Sequence, residues 1–260
     1  MLLLAIGDIF IPERAIDFPN EFKKLLLPGK IQQVLCLGNV TSSLETMKFL
    51  DSLSPDLQIV KGAHDFDSKL PLSSVVQHDQ LRIGFLSGFS VVPKNDPLSL
   101  LVEARKMDVD ILIWGGTHRV EAYTLDNKLF INPGSATGAP VTEDLSDEDD
   151  AEGEEEEEEE EETEAEAGAE ANNVSEQEAS HTDGSNNNGD KAEKGVEKYA
   201  KDIEESRAQV ERLLDLADDE MSDPVPSFCL LDVQGAVCTL YIYTYLDDEV
   251  KVDKVTYRKE

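Results

Sequence analysis

Carboxylate, amide and imidazole side chains recur where short apolar runs of this chain end. Asp8 follows Gly7 after the run 2–6, and Asn39 follows Gly38 after 34–37. His64 and Asp65 follow Gly62 and Ala63 after 57–60, and His118 closes Gly115-Gly116-Thr117-His118 after 110–114. In an open α/β sheet the C-terminal ends of strands converge on one crevice. Glycine at those ends lets the backbone turn sharply and brings short side chains close to an ion. Hard oxygen ligands and imidazoles around two ions about 3.5–4 Å apart are what metal-assisted hydrolysis requires. Asp8, Asn39, Asp65 and His118 are therefore candidate ligands. His118 also reads as a hydrogen-bonded strand-end residue, and His64 as a solvated loop residue.

Those residues need strands to hold them. The runs 2–6 and 34–37 are continuously apolar, as strands buried on both faces are, and 57–60 reads as a third strand. Helices are expected over 20–26 and 43–53, with Leu44, Met47, Leu50 and Leu53 on one stripe of the second. This alternation implies a parallel sheet with crossovers. Farther on, Asp79-Gln80 and Asp126-Asn127 read as hairpin turns, 98–107 as a helix, and 227–233, 237–245 and 250–257 as three more strands. Parallel strands are expected first and antiparallel ones later. The expected class is α/β: two packed mixed β-sheets flanked by helices.

The chain has 260 residues and a formal net charge of −33. Residues 143–223 carry 34 acidic and 6 basic side chains, net −28, so the rest is near −5. One domain over 1–142 and 225–260 is thus interrupted by an acidic insert, 143–224. Nine consecutive glutamates, 154–162, and an Asn/Ser/Gly stretch argue for disorder there. Near 194–217 the pattern changes: Val196, Tyr199, Ile203, Val210 and Leu213 are spaced as one helical stripe. Such a helix is marginal alone in water unless the stripe docks on the domain or on a partner. Cys36, Cys229 and Cys238 sit in apolar runs and read as buried thiols of a reducing compartment. No apolar run reaches the roughly 20 residues of a membrane span. A cytosolic protein is expected, with any membrane contact made through a partner and no nucleic-acid partner.

The motif series resembles the calcineurin-like metallophosphoesterase family, whose pattern is Asp-x-His, Gly-Asp/Asn, Gly-Asn-His-Asp/Glu, Gly-His and Gly-His-x-His. Here Phe10, Ala63, Phe89 and Gly116 stand where that pattern has ligands, and Ser87 lacks an imidazole. One half-site keeps Asp8, Asn39 and His118; the other keeps Asn39 and Asp65. Two apolar rings at such a site raise the cost of bringing in a divalent ion. Within that superfamily the chain is similar to the small phosphoesterase-like subunit of the retromer coat. The similarity lies in Leu2-Leu3-Leu4-Ala5-Ile6-Gly7-Asp8, Phe22-Lys23-Lys24-Leu25-Leu26 and Asn132-Pro133-Gly134-Ser135-Ala136-Thr137-Gly138-Ala139.

That resemblance implies a non-catalytic scaffold with no cofactor, a residual divalent ion being the alternative. It implies a vestigial metal face turned into the α-solenoid subunit of the coat, met by Phe89, Val91, Val92 and Pro93. It implies a second, apolar surface that takes Pro-Leu turns of regulators, built from Leu2, Leu25, Leu26, Leu230, Tyr241, Tyr243, Val250 and Val252. Further partners are other retromer and sorting-nexin-type components. The implied role is endosome-to-Golgi retrieval of cargo receptors, on endosomes through the complex. The competing expectation is a working metal-dependent phosphoesterase with a reduced ligand set.

Overall fold

A computed structural model describes residues 1–40, 42–140 and 224–259, all within one compact unit. The acidic insert and the helix expected near 194–217 lie outside the described residues. In chain order the elements are β1 (Leu2–Ile6), α1 (Asn20–Leu25), β2 (Gln33–Cys36), α2 (Leu44–Leu53), β3 (Leu57–Ile59), β4 (Ser73–His78) and β5 (Leu81–Leu86). There follow α3 (Pro97–Lys106), β6 (Ile111–Ile113), β7 (Val120–Leu125), β8 (Lys128–Pro133), β9 (Ser227–Gln234), β10 (Val237–Leu246) and β11 (Glu249–Arg258).

The strands form two sheets, β11-β10-β9-β1-β2-β3 and β4-β5-β6-β8-β7. Their facing sides share one core, in which Leu3, Ala5 and Leu35 of the first sheet cluster with Ile83, Phe85, Ile111 and Ile131 of the second. Strand alternation sends Leu4, Ile6 and Phe228 to the opposite face, where they meet Phe22 of α1 and Leu50 and Leu53 of α2. Leu100, Leu101 and Ala104 of α3 cover the far side of the second sheet with Trp114, Tyr123 and Phe130. The layers are therefore helix, sheet, sheet, helix.

Both longer helices start on a side-chain cap: Ser43 Oγ accepts from Thr46 N (3.2 Å), and Asp96 Oδ2 accepts from Ser99 N (2.7 Å). The stripe expected on α2 holds at Met47, Leu50 and Leu53 and fails at Leu44. Leu50 and Leu53 are buried with Thr46, but Leu44 is 69% exposed. Leu44 opens the helix, where the chain has not yet turned onto the sheet. The strand order also differs from a parallel-then-antiparallel succession. β5, β6 and β8 run parallel, while the late strand β9 pairs antiparallel with β1 at the centre of the other sheet. Chain order does not reveal this, because β9 begins only at Ser227, after the insert. The insert leaves and returns at one place: a Cβ on Gly138 would meet Pro224 O at 2.9 Å and Pro226 Cγ at 2.8 Å.

His78, without signal in the sequence, ties the sheets together. Its Nε2 meets Gln33 Oε1 on β2 at 2.7 Å, and Gln33 Nε2 donates to Asp56 Oδ2 at 2.6 Å. Burial holds its pKa below the ordinary imidazole value, with Asp56 and Asp79 acting weakly the other way. Between the lowered folded value and the ordinary one the unfolded chain holds more protons, so stability rises with pH through that window and is lost on acidification. Thermal melts from pH 7.5 to 5 should show that loss, and His78→Gln should flatten its slope; an unchanged slope removes His78 as the cause.

Candidate functional site

The ends of β1 and β2 and the turns after β3 and β6 meet at one edge of the sandwich. Asp8, Phe10, Asn39 and His118 all hold left-handed φ angles, 47°, 48°, 56° and 58°. Each such non-glycine residue costs about 1 kcal/mol or more, and such strain gathers at functional sites. Tight packing enforces it. A Cβ on Gly62 would lie 2.2 Å from Asn39 Oδ1, and one on Gly88 would lie 2.0 Å from Gly115 O.

The candidate ligands are together but mostly committed elsewhere. Asp65, 4% exposed, accepts three backbone N–H groups: Asn39 N at 2.7 Å, Gly62 N at 2.8 Å and Val40 N at 3.0 Å. Asn39 Oδ1 accepts from His64 N at 3.0 Å. His118 Nδ1 donates to the Ala139 carbonyl at 2.6 Å, which fixes its tautomer. Asp8 is wholly buried; its Oδ2 accepts from Gly116 N at 2.7 Å, and its Oδ1 has no hydrogen-bond partner. Burial pushes the Asp8 carboxyl up, and His118 and the Gly116 N–H pull only partly the other way.

Phe10 fills the centre. Its ring is 5% exposed, 5.1 Å from the His64 ring and 5.1 Å from the His118 ring. The Arg14 guanidinium lies 4.3 Å above it, and Arg14 Nη2 reaches His64 Nε2 at 3.3 Å. An arene thus stands between the two imidazoles, with a cation over its face. Among the described residues no group of three or more His, Cys, Asp and Glu could hold a metal ion. The orphaned Asp8 oxygen is the one feature suited to a cation; the donor set as a whole does not fit a two-metal centre.

Arg14 carried no signal in the sequence, since its role depends on a ring that replaces a histidine. The Asn132–Thr137 string acts as a clamp, which its spacing did not reveal. Ser135 Oγ donates to Asp8 O at 2.7 Å and Thr137 Oγ1 to Ile9 O at 2.8 Å, while Asn132 Nδ2 donates to Thr117 Oγ1 at 2.8 Å.

Beside the plugged site, Val92 is 82% exposed, Phe89 37%, and Pro93 is exposed. Val91 does not join them: it is 3% exposed and packs with Leu86, Leu100 and Trp114. The loop turns back at Gly88, where Val91 N donates to Gly88 O, and this points neighbouring side chains to opposite sides. On the outer face of the six-stranded sheet, register puts Leu230 beside Tyr241, and Tyr243 beside Val252, with Tyr245 beside Val250. Leu25 is 45% and Val252 50% exposed, and Leu2 is half-buried. Leu26 is not part of that surface; at 2% exposure it belongs to the core with Phe22.

A calcineurin-like phosphoesterase superfamily domain matches residues 1–146. Over the whole of both chains, the sequence is 43% identical to vacuolar protein sorting-associated protein 29 of Saccharomyces cerevisiae. It is 38% identical to the protein of that name from Schizosaccharomyces pombe, over 100% of this chain and 99% of the relative. The crystal structure of Chaetomium thermophilum Vps29 is similar with a TM-score of 0.68 at 38% identity, covering both chains completely. Entamoeba histolytica Vps29 complexed with Zn2+ gives 0.64 at 28% identity, over 98% of this chain and 99% of that one. The motifs, the sandwich and the full-length similarity agree: this chain belongs to the vacuolar protein sorting-associated protein 29 family, the phosphoesterase-like subunit of retromer, within the calcineurin-like phosphoesterase superfamily.

Proposed function

We propose that this chain is a non-catalytic scaffold of the retromer coat, seated through its vestigial metal face in the C-terminal end of the α-solenoid subunit. The observation that carries this reading is a contrast of burial: Phe10 is 5% exposed in the place of ligands, while Val92, in the loop that leaves Gly88 at the Gly115 turn, is 82% exposed. An apolar ring lowers the polarity a divalent ion requires, while an exposed apolar loop favours association with another protein. Phe89, Val92 and Pro93 meet the solenoid. The face of Leu2, Leu25, Leu230, Tyr241, Tyr243, Val250 and Val252 takes Pro-Leu turns of regulators; tyrosine suits such a rim through its apolar ring and polar tip. A Chaetomium thermophilum relative, 38% identical over the whole of this chain, has been crystallised with a cyclic peptide. The role is retrieval of cargo receptors from endosomes to the Golgi, with other coat components bound through the complex. Among the described residues no helix is long and apolar enough to cross a membrane, and attachment to endosomes runs through the assembly.

No resident cofactor is part of this reading. The phosphoesterase alternative has one observation in its favour, the unpartnered Asp8 Oδ1. Metal analysis with a generic phosphodiester assay in manganese decides between them. The scaffold should bind less than stoichiometric metal and turn over at background; stoichiometric metal with turnover abolished by Asp8→Ala overturns it.

A further inference from the structure

We infer that the partner surface covering the plugged site carries a carboxylate for Arg14, flanked by apolar side chains that take Phe66 and a groove between Ile16 and Leu44. This rests on the reading of that face as the α-solenoid docking face, and it adds the chemistry the solenoid has to present there.

The four most exposed large apolar side chains among the described residues gather at one edge of the sandwich. They are Ile16 (95%), Phe66 (87%), Val92 and Leu44. β1, β2 and β3 run parallel, and so do β5 and β6, whose following turn reaches Asp8 through Gly116 N. The segments that leave β1, β2, β3 and β5 therefore share that edge, and they carry Ile16, Leu44, Phe66 and Val92 in that order. Phe66 follows directly on Asp65, whose carboxylate ties the turn after β3 to the β2 end. Between Ile11, Pro12 and Ile16 on one bank and Leu44 and Lys48 on the other lies an open groove of about 480 Å³. Polar contacts join the groove to the plug: Ser42 Oγ donates to Glu13 Oε1 at 2.8 Å, and Glu13 Oε2 lies 3.9 Å from His64 Nδ1. Exposed apolar groups that cluster in this way mark a contact surface. Val92 stands on the margin made by the second sheet. Phe66 and the groove form the margin made by the first.

Arg14 lies over the plug. Its contacts are the Phe10 ring and His64 Nε2, and among the described residues no carboxylate comes within ion-pair distance of it. Glu13, its neighbour in the chain, turns instead to Ser42 and His64. Asp65 is committed to three backbone N–H groups. Neither a ring face nor an imidazole neutralises a guanidinium. In the free chain water does so, since Arg14 is only half-buried. A solenoid that covers Phe10 removes that water, and a desolvated charge left without a counter-charge opposes association. The partner therefore supplies the counter-charge. A carboxylate suits it, because the planar guanidinium can donate to both of its oxygens at once. An arginine and an aromatic ring set among apolar neighbours are the residues on which binding energy usually concentrates.

The test is calorimetric titration of the full chain with the whole α-solenoid subunit, for the wild type, Val92→Asp, Phe66→Ala, Arg14→Met and Arg14→Lys. Phe66→Ala should bind about tenfold or more weakly with an unchanged melting temperature, because its ring is solvated in the free chain. Arg14→Met keeps the alkyl bulk and drops the charge, which strands the partner's carboxylate, so binding should again fall about tenfold or more. Arg14→Lys keeps a cation and should recover part of that loss, a ranking that packing alone does not give. Where melting shows that Arg14→Met loosens the plug, Arg14→Gln takes its place. If Val92→Asp fails to bind while Phe66→Ala or the charge-free Arg14 variant binds as tightly as the wild type, or more tightly, the inference is overturned and the docking reading stands. Undiminished binding by every variant removes both.

Discussion

Val92→Asp should abolish binding to the α-solenoid subunit while leaving the isolated chain as stable as before. Val92 is 82% exposed, so an aspartate there is solvated in the free chain and its melting temperature should move by no more than about 1 °C. In the proposed complex the same carboxylate would be buried against apolar partners without a counter-charge. That costs about 3 kcal/mol or more, on the order of a 100-fold loss in affinity. Val91→Asp is the control. Its side chain is 3% exposed among Leu86, Leu100 and Trp114, so it should unfold the domain, lowering stability by about 3 kcal/mol or more. Chemical denaturation and a pull-down on both variants separate the two neighbours. Undiminished binding by Val92→Asp removes the docking loop from the interface.

The second large effect concerns Asp65, a metal ligand by motif. Its carboxylate accepts N–H groups from Asn39, Val40 and Gly62, and these three bonds tie the β2 end to the turn after β3. Asp65→Ala leaves three buried donors without partners, at about 1–3 kcal/mol each before relaxation. We expect a loss of roughly 3 kcal/mol or more, measured by urea denaturation, and that loss should be the same in EDTA and in manganese. A destabilisation seen only when metal is present in the wild type contradicts the structural role. Asp65→Asn keeps one acceptor but turns an amide N–H₂ toward donors, so it should recover only a minor part.

Most of the frame was legible in the sequence, for a physical reason. Strands buried on both faces read as continuous apolar runs, and Leu2–Ile6 and Ile111–Ile113 do so, as does β2 after its first residue, Gln33. Gly38 and Gly62 mark close backbone approach, and the structure confirms both at contact distance. The erosion of the ligand set was also legible, because Phe10, Phe89 and Gly116 cannot bind an ion through an imidazole. What replaced the ligands was not. Arg14 stacks on Phe10 across a turn, and no sequence period relates the two. Asp65 looked like a ligand because a carboxylate that binds an ion and one that caps three N–H groups follow the same glycine. Val91 and Val92 are chemically alike, and only the turn at Gly88 sends one to the core and the other to solvent. Leu25 and Leu26 divide in the same way at the end of α1, where the helical period stops.

The proposed docking face is tested most directly by one structure determination: the chain with the α-solenoid subunit in excess manganese, with anomalous scattering recorded at the manganese edge. The expected map has the Phe10 ring and Arg14 where two ions would otherwise sit, no anomalous peak between His64 and His118, and Val92 covered by solenoid helices. Two well-occupied manganese ions at Asp8, Asn39 and His118, with Val92 left in solvent, contradict it.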